Sequence, residues 1–306
     1  MNSISEEYRV RQQAVEYAIK YNNNSKAALK YKTSRQQIKR WRDRYDGTVQ
    51  SLMPKIRRPK SHPNQHTQEE IDLIMKKYRR FSYEGLAQVY TEARKLGYSR
   101  SYGTMCRIIR KIRDNKPKKP KRLYKSTKKV KQATYPGEKV QIDIKYVPRE
   151  CICFGTNDQN YYQITAIDEY TKKRALRIVD EKSTYQTTKF LETLEAELGF
   201  KIEKIQSDNG REFTNAENGK KTLFELKLEE LGIEYMTTRP YSPWQNGKVE
   251  RSHRLDSNYY LGKRFRSLEK LRRSVKRYCS RYNNISRKVL NFKSPNEMLK
   301  EYRTNN

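Results

Sequence analysis

Three acidic residues in a very basic chain are the side chains whose type and spacing could do chemistry. Asp143 lies in "QIDIKYV", Asp208 in "IQSDNGREFT" and Glu250 in "SPWQNGKVERSHR". Carboxylates that converge raise one another's pKa, and divalent cations relieve the repulsion. Mg²⁺ binds carboxylate oxygens and keeps water and substrate phosphate as its other ligands, and two such ions ~3.5–4 Å apart promote phosphodiester chemistry. A shared metal site is therefore one hypothesis for the three acids.

Taken singly, each acid has a simpler interpretation. The segment around Asp208 is a common turn sequence. Asp143 could be an exposed strand residue, and Glu250 has the i, i+4 spacing to pair with Arg254 on a helix. Two other acids of this half compete as ligands: Asp168, in a predicted turn, and Asp256.

The elements that must position these acids are strands and helices in residues 138–306. In the first predicted strand Val140, Ile142 and Ile144 face one way, and the residues between them, including Asp143, face the other. The predicted order is β-β-β-α-β-α-β-α-α, which is typical of a ribonuclease-H-like α/β fold, although order alone leaves other α/β folds open. In a ribonuclease-H-like sheet the first and fourth strands are neighbours, which would bring Asp208 to Asp143.

Residues 1–52 are predicted to form a helix-turn-helix domain. Its first helix would bury Val15, Ala18 and Ile19, and Ser34 is the expected N-cap of a basic third helix. Arg and Gln are well suited to reading guanine and adenine edges. The alternative is a helical bundle with a solvated basic face. The predicted DNA contacts on the exposed side of this helix are Arg35, Gln36, Lys39, Arg40 and Arg42.

Residues 53–66 read as a basic, Pro-containing linker. Its Arg57 and Arg58 could enter a minor groove, although a solvated linker is equally compatible. Residues 67–114 are predicted to form a second helix-turn-helix-like domain, for which a small bundle with a solvated basic face is the alternative. Residues 115–137 form a second basic linker. The second domain's predicted DNA contacts are Arg107, Arg110 and Lys111.

Charge favours a polyanionic partner. The formal net charge is +33, with 35 Lys and Arg against 11 Asp and Glu in residues 1–137, and 33 against 24 in residues 138–306. Basic side chains displace counterions from phosphates, but charge alone does not separate nucleic acid from an anionic membrane. No apolar run long enough for a membrane span or a signal-peptide core is present, so a cytoplasmic protein is expected. With four cysteines and three histidines, a complete zinc site is not expected.

The acid segments carry a resemblance. "QIDIKYV", "IQSDNGREFT" and "RPYSPWQNGKVERSHR" resemble the motifs of DDE-type insertion-sequence transposases, which have the catalytic core of the retroviral integrase superfamily. The resemblance implies an α/β ribonuclease-H-like core, a mixed five-stranded sheet with flanking helices, preceded by all-α helix-turn-helix DNA-binding domains. It implies that Asp143, Asp208 and Glu250 form the catalytic and metal-binding triad. Many such enzymes have 35 residues between the last two acids, whereas this chain has 41.

The same resemblance implies cofactors and partners. Two Mg²⁺ ions per site, or Mn²⁺, would serve cleavage and joining of double-stranded DNA at the element's terminal inverted repeats. Joining two ends requires a homodimer or a higher synaptic assembly, and a bacterial, nucleoid-associated location is expected. A non-catalytic DNA-binding regulator and a structure-dependent nuclease remain alternatives. Four residues around Glu250 would bind the DNA backbone: Asn246, Lys248, Arg251 and Arg254.

Overall fold

The computed structural model describes residues 6–54, 62, 64–113, 132–155, 159–215, 219–239 and 243–305. It divides into two units, Met1–Gln65 and His66–Asn306. The predicted linkers fall mostly outside the described residues, as do Arg57 and Arg58. None of the helices in the described part of the chain combines the length and the apolar character that a membrane span requires.

The first unit is a three-helix cluster. Its helices are α1 (Glu6–Lys20), α2 (Asn24–Lys30) and α3 (Arg35–Arg42). Ser34 caps α3 by accepting a hydrogen bond from the Gln37 amide at 3.1 Å, as predicted. The core contains Ala14, Val15 and Ala18, but the prediction that Ile19 is buried is wrong. Small alanines let the neighbouring helices approach α1 closely, and Ile19 lies at the edge of that stripe, 46% exposed.

The second unit begins with another helical set. Its helices are α4 (Gln68–Phe81), α5 (Leu86–Arg94) and α6 (Tyr102–Ile112). Thr67 and Glu70 form a capping box at the start of α4. Ile74, Val89 and Met105 form the centre of their core, and Phe292 from the C-terminal region packs against it. The set therefore belongs to the same compact unit as the sheet.

A mixed five-stranded sheet forms the centre of the second unit. Its strands are β1 (Val140–Tyr146), β2 (Tyr162–Asp168), β3 (Arg174–Val179), β4 (Lys204–Ser207) and β5 (Glu234–Thr237). The spatial order is β3-β2-β1-β4-β5. The first three strands are antiparallel neighbours, whereas β4 is parallel to β1, and β5 to β4. This is the predicted ribonuclease-H-like arrangement, with β1 next to β4.

Helices cover both faces of the sheet. They are α7 (Thr184–Leu198), α8 (Leu223–Glu230), α9 (Gly247–Tyr260), α10 (Leu268–Asn283) and α11 (Pro295–Asn305). Val140, Ile142 and Ile144 of β1 pack in the core formed with α7 and α8. The alternate residues of β1 lie under α9. The polar side of β1 is thus partly or fully buried, because a helix covers it.

The sequence prediction missed α11. The segment Ser294-Pro295-Asn296-Glu297 carries its start signal: a capping residue, Pro at the first helical position and Glu at the third. The Glu297 amide donates to Ser294 Oγ at 3.2 Å, and the Ser294 amide donates to Glu297 at 2.7 Å. The capping box was therefore readable from sequence.

A buried ion pair fixes the second half of α9. Arg174 of β3 donates to Asp256 at 2.8 Å, and both side chains are fully buried. Asp256 also accepts from Gln163 at 2.8 Å and from the Tyr278 hydroxyl at 3.0 Å. One carboxylate thereby joins α9 to two strands and to α10, which explains this acid without a metal. Asp168 is likewise a structural acid, because it accepts from the Gly137 and Thr171 amides.

We expect Asp256→Ala to lower the free energy of unfolding by about 3–5 kcal/mol, because it leaves the Arg174 charge buried and unpaired. Urea unfolding followed by circular dichroism measures this. Glu269→Ala is the matched control, since it removes an exposed i, i+4 ion pair with Arg273 and should cost less than about 1 kcal/mol. Equal losses in the two variants would contradict the anchoring role of Asp256.

Candidate active site

Asp143 of β1 lies near Asp208, the residue that directly follows the neighbouring strand β4. In the parallel ladder Val140 pairs with Ile205 and Gln141 with Gln206, and the same offset of 65 residues, extended beyond the paired residues, would place Asp143 level with Asp208. Asp208 directly follows β4, and its carboxylate accepts from the Gly210 amide at 3.1 Å. The turn interpretation and the site interpretation of Asp208 are therefore compatible, since the turn orients the carboxylate.

The pKa of Asp143 is raised by its burial and by the other acidic side chains around it. Burial and the negative charge of Asp208 raise the pKa of Asp143 to about 7, and Glu250 and Glu212 add to the increase. Nδ1 of His253 lies 3.4 Å from the Asp143 carboxylate. Burial lowers the pKa of His253 to about 4, so the ring is neutral at pH 7 and supplies no compensating positive charge.

Glu250 lies in the first turn of α9 and is exposed. The alternative role as a partner of Arg254 is not realised: within the described residues, Glu250 has no ion pair closer than 4 Å. Glu250 shares a side of α9 with His253, three residues later, which contacts Asp143. The helix therefore brings the third acid toward the two strand acids.

Two residues that sequence reasoning passed over hold α9 along β1. Gln141 Oε1 accepts from the Lys248 and Val249 amides, each at 3.2 Å, so it caps the start of the helix. Lys145 donates to the His253 carbonyl at 3.2 Å and to Ser257 Oγ at 3.0 Å. The signal in the sequence was their i, i+2 spacing around Asp143, which places all three side chains on one side of β1.

The capping by Gln141 changes the roles expected for two predicted DNA contacts. Asn246 is buried rather than presented to a phosphate, and the helix amides that would approach the phosphate are occupied by Gln141. Lys248 forms an ion pair with the buried Glu169, which also accepts from Gln141 at 2.7 Å. Lys248 thus takes part in holding the start of α9, and Asn246 is buried at that start.

The remaining predicted DNA contacts in the described residues are mostly exposed. Arg42 is the exception: it is half-buried and donates to Asn22 at 3.1 Å and Asn24 at 3.4 Å, which ties α3 to the start of α2. The exposed ones are Arg35, Gln36, Lys39, Arg40, Arg107, Arg110, Lys111, Arg251 and Arg254.

The donor set fits a hard divalent cation. Within the described residues no three His, Cys, Asp or Glu side chains are close enough to hold one ion together. Mg²⁺ does not require such a cage, since it is commonly bound by one or two carboxylates together with water and phosphate oxygens. Asp143 and Asp208 supply two adjacent carboxylates, and the described residues place no Lys or Arg within ion-pair distance of either.

Comparison with known proteins identifies both parts of the chain. Residues 133–243 match the integrase core domain, residues 231–287 match a second integrase core domain profile, and residues 10–60 match a helix-turn-helix domain. The chain therefore carries an integrase core domain behind an N-terminal helix-turn-helix domain. The resemblance to DDE-type transposases with an integrase-like core is confirmed at the level of domain content.

Two relatives carry names that agree with these domains. The putative integrase ORF3 of Spiroplasma virus SpV1-C74 is 30% identical over 173 residues, which cover 52% of this chain and 47% of that protein. The retrovirus-related Pol polyprotein from transposon TNT 1-94 of Nicotiana tabacum is 35% identical over 97 residues, 31% of this chain and 7% of that protein. The chain thus spans less than half of the length of either relative.

Solved structures with some likeness include two viral proteins. A chain of the simian T-cell lymphotropic virus intasome in complex with PP2A regulatory subunit B56 gamma is 17% identical with a TM-score of 0.45, covering 73% of this chain and 74% of that one. The HTLV-2 integrase catalytic core domain in complex with magnesium, in its trimeric form, is 16% identical with a TM-score of 0.40, covering 53% and 96%. At these TM-scores the likeness says nothing about the site.

We expect Gln141→Leu to loosen the start of α9. Two buried amides would lose their acceptor, and unsatisfied buried groups cost about 1–3 kcal/mol each. Hydrogen exchange measured by mass spectrometry should quicken over residues 247–250, and urea unfolding should show a loss of about 1–3 kcal/mol in the free energy of unfolding.

Gln163→Leu is the matched control, because Gln163 contacts the other end of α9 through Asp256 and Tyr260. Its exchange should quicken around residues 256–260 instead. Unchanged protection of residues 247–250 in Gln141→Leu would show that Gln141 does not hold the helix.

Proposed function

We propose that the protein is a DNA transposase whose DDE triad is Asp143, Asp208 and Glu250. The observation that supports this most strongly is that Asp143 of β1 lies near Asp208, which follows the neighbouring strand β4, while Glu250 is on the helix that is anchored along β1. The integrase core and the helix-turn-helix domain agree with an enzyme that cuts and joins DNA. The substrates would be the element's terminal inverted repeats and a target duplex.

The triad would hold two Mg²⁺ ions, which when bound activate the attacking oxygen and stabilise the leaving one. The protein's own residues prepare this site. The close approach of Asp143 and Asp208 gives a pair of carboxylates whose mutual repulsion favours cation binding. Gln141 and Lys145 keep α9 aligned with β1, and this alignment keeps the side of α9 that carries Glu250 turned toward Asp143.

The reaction would proceed in two steps at this site. Water attacks a phosphodiester at the element end and releases a 3′-hydroxyl, which then attacks a phosphodiester of the target. Neither step needs a covalent enzyme intermediate, so no nucleophilic Ser, Tyr or Cys is invoked. Because two ends must be joined, we expect a homodimer or a higher synaptic assembly. The exposed basic residues of α3, α6 and α9 would bind the DNA.

Each of Asp143→Asn, Asp208→Asn and Glu250→Gln should reduce strand transfer by more than about 100-fold, because even outer-shell partners of a metal are worth ~10–100-fold. The substrate is a labelled duplex made from the DNA that flanks this reading frame, with Mg²⁺ or Mn²⁺, and gel electrophoresis separates cleaved and joined products. Binding of that duplex should persist in all three variants.

Asp180→Asn is the control, since it alters an exposed carboxylate outside the triad and should leave joining unchanged. Substantial joining by any triad variant would remove that residue from the triad. Cleavage without joining, at any sequence, would favour a structure-dependent nuclease, and binding without metal-dependent cleavage would favour a regulator.

Substitutions at two residues of α3 should distinguish a contribution to overall DNA affinity from a contribution to base-sequence recognition. We expect Lys39→Ala to weaken all DNA binding and to reduce the slope of log affinity against log salt by about 1, as for one lost phosphate contact. Gln36→Ala should instead lose about 1–3 kcal/mol of discrimination at one base pair.

Fluorescence anisotropy with the flanking DNA and with unrelated DNA measures both effects. Lys20→Ala, an exposed lysine of α1, is the control and should change neither quantity. If Lys39→Ala and Lys20→Ala behave alike, α3 is not the DNA-contacting helix.

A further inference from the structure

The side of α9 that faces away from the acids lines a cavity of about 1090 Å³. Lys248, Arg251 and Leu255 belong to its wall. The starts of α5 and α6, the turn after β2 and the C-terminal segment from Tyr282 to Asn305 form the rest. One helix, about 10–12 Å across, therefore separates the cavity from the candidate triad.

The cavity is positively charged. Its lining contains six Lys and Arg residues and three Glu residues. The three acids are already engaged: Glu169 pairs with Lys248, Glu301 with Lys293, and Glu84 with Arg281. Within the described part of the chain, four lining cations remain without an ion pair: Lys172, Arg251, Arg287 and Lys288. Of these, Lys172 donates to the Glu169 carbonyl oxygen.

Aromatic rings line the same cavity. Tyr102, Tyr170, Tyr282 and Tyr302 contribute to the wall. The Arg287 guanidinium stacks 3.9 Å from the centroid of the Tyr282 ring, and its Nε is buried without a hydrogen-bond partner among the described residues. A guanidinium fixed by stacking is pre-oriented for an anion, and tyrosine faces accept nucleobases.

We propose that this cavity binds a short unpaired segment of the DNA substrate, next to the phosphodiester that reaches the triad. Its volume lies just above the ~300–1,000 Å³ typical of ligand pockets. We expect a single strand rather than a duplex, because an aromatic wall offers stacking to unpaired bases, whereas the bases of a duplex are already stacked on one another. Lys288 and Arg287 would hold phosphates, and the partly exposed Tyr102, Tyr170 and Tyr302 would stack on bases, whereas the buried Tyr282 orients Arg287. This inference rests on the proposed function and adds where the strand runs beyond the triad.

The decisive measurement compares single-stranded with double-stranded DNA. The full chain, without divalent metal, is titrated into a fluorescein-labelled 12-nucleotide oligothymidylate and into a 12-base-pair duplex. We expect Lys288→Ala combined with Tyr170→Leu to weaken single-strand binding about tenfold, since stacking is worth about 1–3 kcal/mol per base. Duplex binding should change less than twofold, because α3 and the exposed arginines of α9 remain.

Lys300→Ala is the matched control, an exposed lysine of α11 outside the cavity wall, and should change both affinities less than twofold. Equal loss of single-strand and duplex affinity in the double variant would overturn the proposal, because it would indicate a phosphate surface without base binding. A loss no larger than that of Lys300→Ala would overturn it as well. Displacement of the oligothymidylate by a 12-residue glutamate peptide at equal concentration would also overturn the proposal, because it would show that the cavity binds anions without preference for nucleic acid.

Cross-linking locates the strand independently of affinity. An oligothymidylate carrying 5-iododeoxyuridine is irradiated with the full chain, and the modified peptides are identified by mass spectrometry. Cross-links at Tyr102, Tyr170 or residues 282–302 support the proposal, and cross-links confined to α3 overturn it. Because no cleavage is required, a chain that shows these cross-links but no strand transfer would keep the cavity assignment and lose the transposase assignment.

Discussion

The position of α9 is the constraint on which the candidate active site depends. Glu250 is carried by this helix, whereas Asp143 and Asp208 belong to the sheet, so any shift of the helix separates the acids. Gln141 fixes the start of α9 through two amides, and Asp256 fixes its second half through Arg174. Both anchors are buried, where hydrogen bonds and charges are strong when paired and costly when broken.

Strand β1 serves two purposes because its side chains alternate. One side supplies Val140, Ile142 and Ile144 to the core under α7 and α8. The other supplies a row of polar residues, each in contact with α9 or close to it: Gln141, Asp143 and Lys145. A shift of one residue in the register of β1 would place apolar side chains under α9 and the acid in the core. The hydrophobic core therefore specifies the position of Asp143.

The sequence predicted the order of strands and helices because strand alternation and helical periodicity are local patterns, and the ribonuclease-H-like interpretation of that order predicted that β1 and β4 are neighbours. It did not predict that Lys248 pairs with Glu169 or that Gln141 caps α9, because these contacts join residues 79 and more than 100 positions apart. The burial of a side chain near a helix end was also predicted wrongly. Ile19, expected to be buried, is the second-last residue of α1 and is 46% exposed, since helical periodicity does not say where the covering neighbour stops.

A chain with a net charge of +33 would be expected to neutralise any cluster of acids with its own lysines and arginines. Other acidic residues prevent this neutralisation, because they form ion pairs with lysines near Asp143, Asp208 and Glu250. Glu169 engages Lys248, and Glu212 engages Lys182 at 2.8 Å, so two lysines near the site are paired elsewhere. In the part of the chain that the structure describes, no Lys or Arg lies within ion-pair distance of Asp143, Asp208 or Glu250, and His253, 3.4 Å from Asp143, is neutral at pH 7. Under the proposed function, the repulsion among the three acids would favour binding of a divalent cation, and the surplus positive charge on the exposed faces of α3, α6 and α9 would be available to DNA phosphates.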